Sequence, residues 1–155
     1  MTPSPTVLAP RPPAPASAPA RPVVPEVPAV QVLSLTESIL GFPDHRDYVL
    51  VPAEDSGRML WLQSAAPDGP RFLVVSAAAF FPDYAPALPG AVCAELGLSA
   101  PADARLYCIV TVPDGDVAAA TANLRAPVVV DPVSSRARQV VLLDAAHPIR
   151  RPLRR

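Results

Sequence analysis

The chain has 155 residues, half of them hydrophobic, a formal net charge of −1 and two cysteines. That length fits one domain with a core that needs no disulfide or metal support. It also excludes the strongly basic balance typical of nucleic-acid-binding domains, and no apolar run reaches membrane-spanning length.

Residues 1–28 hold ten of the 23 prolines. Proline and alanine bury too little surface to offset the entropy of ordering, so a disordered tail is expected. Pro10, Pro12, Pro13 and Pro15 break any helical apolar stretch, which argues against a signal peptide and makes a cytoplasmic location the expectation. A β-domain is expected over residues 29–149, followed by a basic tail at 150–155. The charge follows these segments. Residues 30–147 carry 13 acidic side chains and 7 arginines, whereas residues 148–155 carry four arginines. An acidic body favours basic partners over nucleic acid.

From Ala29 onward, short apolar runs alternate with turn signals. The runs are Val30–Leu35, Tyr48–Val51, Met59–Gln63, Phe72–Ser76, Leu106–Val112, Ala122–Val130 and Val140–Leu143. Pro43-Asp, Glu54-Asp-Ser-Gly, Pro67-Asp-Gly-Pro and Pro113-Asp-Gly-Asp separate most of them. Such spacing predicts antiparallel strands. One stretch differs: Pro89 to Gly97 can form a two-turn helix with Val92, Cys93 and Leu96 on one face, expected to cover an open end of the sheet. The expected fold is all-β, a small antiparallel β-barrel with one short helix.

The last two runs predict a hairpin. Ala122, Leu124, Ala126, Val128 and Val130 share one face, and Asn123, Arg125 and Asp131 share the other. Pro127 implies a sheet edge or a bulge. The turn-rich spacer Asp131-Pro-Val-Ser-Ser-Arg then leads to a strand at Gln139–Leu143.

No catalytic constellation stands out, and no metal site or cofactor is expected. The chain has no lysine, which excludes Schiff-base and P-loop chemistry. His45 and His147 read as loop residues. Asp114 and Asp116 flank Gly115 in a turn lacking the other ligands of a calcium motif. Cys93 and Cys108 read as free buried thiols, with a disulfide left open. The residues that draw attention are Phe80, Phe81 and Tyr84, a compact aromatic corner, with Asn123 and Arg125 on the polar strand face. Both groups are candidates for partner binding, because aromatics and arginine are enriched in interface cores.

The same residues carry a resemblance. Thr121 to Pro132 followed by Arg138-Gln-Val-Val-Leu is similar to the T-x-N-L-x-A-P-I-V-I-N and G-K-Q-V-I-L segments of the flagellar assembly factor FliW family. Glu37-Ser-Ile-Leu-Gly-Phe-Pro, Leu60-Trp-Leu-Gln-Ser, Phe80-Phe-Pro-Asp-Tyr and the ending His147-Pro-Ile-Arg-Arg-Pro-Leu also fit, in family order from Val32 to Leu153. Ser38, Leu40, Ala77 to Ala79 and Ala137 depart from the pattern. Ser38 and Ala137 stand where the family has turn glycines, and would resist positive φ.

The resemblance implies the barrel fold and a non-enzymatic regulator that is monomeric when free. Its partners would be CsrA, a dimeric RNA-binding repressor of translation, and flagellin. Flagellin would occupy the regulator until it is exported, after which the regulator would antagonise CsrA without occupying the RNA site. Two alternatives stay open: a flagellin-specific chaperone working without CsrA, and a small ligand-binding or enzymatic barrel.

Overall fold

The computed structural model describes residues 30–153. The disordered tail expected at residues 1–28, and Arg154 and Arg155, lie outside the described residues. Alternating sequence builds the first four strands: β1 (Gln31–Glu37), β2 (Asp47–Pro52), β3 (Met59–Ser64) and β4 (Arg71–Ser76). Leu33, Leu35, Tyr48, Leu50, Leu60, Leu62 and Val74 point to one buried core. The β2–β3 turn is pinned by Glu54, whose carboxylate accepts from the N–H groups of Arg58 (3.0 Å) and Met59 (3.3 Å). Helix α1 (Ala77–Phe80) and helix α2 (Gly90–Leu96) precede β5 (Arg105–Thr111). Four short strands follow: β6 (Thr121–Ala122), β7 (Val128–Val130), β8 (Arg136–Gln139) and β9 (Arg151–Pro152).

The sheet order is β4-β3-β2-β1-β8-β7-β5, and pairing of β4 with β5 closes it into a seven-stranded barrel. This is the expected β-barrel, with one difference in pairing. β1 and β8 run parallel, Ser34 opposite Arg136. About a hundred residues separate them, so no hairpin dictates their direction. β6 continues outward from β5, and β9 pairs with β6 as a two-stranded flap. The sheet therefore takes in Arg151 and Pro152, two residues of the segment expected as a basic tail.

Helix α2 forms where expected and ends at Gly97, which adopts φ 83°. Leu98 N–H bonds to Cys93 O at 2.8 Å, which satisfies a terminal carbonyl. Its position corrects the expectation that it covers an open end. Val92, Cys93 and Leu96 pack on Val129, Val140 and Leu142. Val128 and Val130 face the barrel interior, so Val129 faces outward and α2 lies on the outer wall. All three valines of β7 are buried because both faces are covered.

The hairpin region also departs from its expectation. Ala122, Leu124, Ala126, Val128 and Val130 are buried as the alternation requires, but the run splits into β6 and β7. Asn123 Oδ1 accepts from the N–H groups of Arg125 (2.9 Å) and Ala126 (3.2 Å), a local turn that competes with the ladder. Pro127 adds a missing donor. The same two facts end β8 at Gln139. Val140 and Leu142 donate to Pro127 O and Arg125 O, but neither opposite residue has an N–H to return.

Asp131, expected on the outer face, is buried. Its carboxylate folds into the β7–β8 turn, accepting from Val133 N–H (3.0 Å) and the Ser134 hydroxyl (2.9 Å). Those bonds, the Val133 N–H foremost, hold its pKa below the usual carboxylate value. Because the folded value is lowered, its stabilisation is complete above the unfolded value of about 4 and fades as pH falls through the folded one. Asp131→Ala should therefore destabilise the domain at pH 7, and the gap from wild type should narrow in acid. Urea unfolding at neutral and acid pH checks this; a constant gap would mean that the carboxylate charge is immaterial. In the same turn Ser135 takes the left-handed conformation, φ 65°. Ala137 sits fully buried in β8, so it meets no need for positive φ.

Candidate functional site

A cleft of about 680 Å³ opens beside the β6–β9 flap. Its first wall is the aromatic corner. Ser76 ends β4, the single turn of α1 reverses the chain, and Phe81 N–H closes back on Ala77 O at 2.7 Å. This turn drives Phe81 into a second core cluster with Val110, Ala122 and Leu124, leaving Phe80 and Tyr84 half-buried at the rim. The Tyr84 hydroxyl donates to Leu124 O at 2.5 Å, and burial raises its pKa. It is a neutral positioning group across the ordinary pH range.

The opposite wall is the C-terminal segment, residues 146–153. The His147 ring meets Tyr84 edge-on at 5.4 Å between centroids, and the Arg151 guanidinium stands 5.0 Å over the Phe81 ring. Leu153 packs into the second core cluster. Arg125 fastens this wall: its Nε donates to His147 O at 2.9 Å and its Nη2 to Ala145 O at 3.0 Å. Leu124 N–H adds a bond to Pro148 O at 2.9 Å.

The five sequence candidates therefore separate into two roles. Phe80, Phe81 and Tyr84 line the cleft. Asn123 and Arg125 lie behind it, one shaping the chain and the other holding the far wall. The C-terminal wall was not expected from the sequence, where His147 reads as a loop residue and residues 150–155 as a basic tail. The available signal was Leu153, an apolar residue among arginines.

Chemically the cleft offers ring faces, an imidazole, a guanidinium and the Asp83 carboxylate. That mixture suits side chains of a protein partner. The remaining reactive groups have structural surroundings. His45 Nδ1 lies 3.0 Å from Ser64 Oγ in a surface loop, and Asp116 accepts from Ala118 N–H in a 3₁₀ turn. Both cysteines are free and buried, and burial pushes the Cys108 thiol up to about 12, which leaves it protonated and unreactive. No helix among the described residues is long and apolar enough to cross a membrane.

The sequence model of the family described as FliW protein matches residues 20–153. The flagellar assembly factor FliW of Moorella thermoacetica is 34% identical over 133 residues, spanning 86% of this chain and 84% of that protein. The FliW of Bdellovibrio bacteriovorus is 40% identical over 128 residues, spanning 83% and 73%. A crystal structure of a flagellar assembly factor FliW superposes with a TM-score of 0.70 at 26% identity, covering 79% of this chain and 84% of that one.

Proposed function

The chain belongs to the FliW family of flagellar assembly factors, and we propose that it acts by holding protein partners rather than by turnover chemistry. The partners of this reading are CsrA and flagellin, in the cytoplasm, with flagellin displacing CsrA. One observation carries the choice of surface: Phe80, Phe81 and Tyr84 meet His147 and Arg151 in one cleft beside a small flap. Aromatic and arginine side chains gathered in one cleft are the usual anchors of protein interfaces. The acidic body supplies a second element. Docked near the RNA groove of CsrA, its field would repel phosphates without occupying the groove.

Two measurements test this. Purified chain should form complexes with flagellin and with CsrA on size-exclusion chromatography, and flagellin should release CsrA; a stable ternary complex would reject the switch. The ratio of RNA affinities of CsrA with and without this chain should shrink toward one as salt rises. The screening length falls from about 10 Å at 0.1 M to about 3 Å at 1 M. A salt-independent ratio, under conditions where the protein complex persists, would reject the electrostatic account.

A further inference from the structure

The outer wall of the barrel is covered in two sectors. The second core cluster, with Phe81 and Leu124, lies over β4 and β5. Helix α2 lies over β7 and β8. The sector where β1 and β2 meet Trp61 of β3 has no such cover among the described residues. Leu33, Tyr48, Leu50 and Leu62 point into the barrel, so the alternate residues Val30, Val32, Val49, Val51 and Trp61 point out. The register sets Val32 beside Val49 and Val51 beside Trp61, which makes one contiguous apolar strip. Val30 and Val32 are 59% and 66% exposed. The Arg71 guanidinium stands 3.9 Å from the Trp61 ring centroid, yet Trp61 keeps part of its surface open.

We propose that this strip is covered by the chain's own residues 22–29, laid across it as a polyproline II segment. Three observations favour that occupant. The segment ends at Val30, which is itself part of the strip. The match to the family model begins at residue 20, so the matched unit takes in these residues. Their sequence also has the right period. Pro22, Pro25 and Pro28 are spaced by three, and so are Val24, Val27 and Val30. With three residues per turn, each trio forms one edge of a polyproline II helix. The third edge, Val23, Glu26 and Ala29, carries the one charge of the segment and is left to solvent. Proline edges of this kind dock on aromatic-lined surfaces. The reach suffices. Trp61 lies two strand spacings from Val30, about 10 Å, whereas eight residues of polyproline II span about 25 Å. Tethering at Val30 keeps the local concentration on the order of millimolar, so modest contacts hold the segment down. The tail expected to be disordered then shortens to residues 1–21.

Trp61 is the one tryptophan of the chain, so its fluorescence reports on the strip. In the full chain, Val24→Ser combined with Val27→Ser should raise the acrylamide quenching constant about twofold, because both substitutions remove apolar contact area. Val23→Ser, on the solvent edge, should leave it unchanged. All three positions precede the barrel strands. In wild type, nuclear Overhauser contacts should join the Val24 and Val27 methyls to the Trp61 indole. Absence of those contacts, or equal quenching of wild type and double variant, would overturn the proposal and leave the strip to a partner protein. Quenching of wild type that rises on dilution would overturn it in favour of a second copy. A like rise with Val23→Ser would overturn the threefold register.

Discussion

Leu124→Asp should abolish the cooperative fold. Leu124 is 2% exposed and packs with Phe81, Val110 and Ala122. Its backbone also joins the two walls of the cleft, accepting from Tyr84 and donating to Pro148. An unpaired carboxylate there costs several kcal/mol in burial alone, on the order of the 5–15 kcal/mol that stabilises a whole domain. Circular dichroism should show no cooperative thermal transition. A variant that melts near the wild-type midpoint would mean that Leu124 is not in the core, and the strand phase would be inverted.

Arg125→Ala should leave the domain folded yet weaken partner binding about tenfold, the equivalent of roughly 1.4 kcal/mol. The arginine contributes no wall of the cleft itself, but its two hydrogen bonds set the position of Ala145 and His147. Without them the far wall is held chiefly by Leu124 N–H, β9 and Leu153. Arg125→Lys should not rescue binding, because one ammonium cannot reproduce a planar fork reaching two carbonyls. Calorimetric titration with flagellin and with CsrA measures the effect. Unchanged affinity for both would remove this cleft from the proposed binding surface.

The fold was legible wherever one face of a strand is buried and a turn residue marks its end. β1 to β5 follow their apolar runs within two residues, and α2 lies between the proline and glycine that bound it. The hairpin was read in the right phase but with the wrong breaks. Alternation reports which side chains are buried, and it is blind to Asn123 capturing two N–H groups that a ladder would use. Asp131 was misplaced for a related reason: a turn can bury a carboxylate if it supplies donors. The aromatic corner was visible as composition. Its partner wall was not, because a stretch rich in arginine and proline resembles a solvated tail until Leu153 and Arg151 find the core and Phe81.

The parallel contact of β1 with β8 has a consequence for biosynthesis. β1 leaves the ribosome about a hundred residues before the strand that completes its pairing. At roughly 5–20 residues per second, that interval is about 5–20 s. During it, β1 to β4 can form a meander from local hairpins, but the barrel stays open along β1 and the core cluster lacks Val128, Val130 and Ala137. Such long-range closure is intrinsically late. Nascent chains that stall before residue 136 would present an open apolar sheet, so this protein should depend on holding chaperones more than its small size suggests.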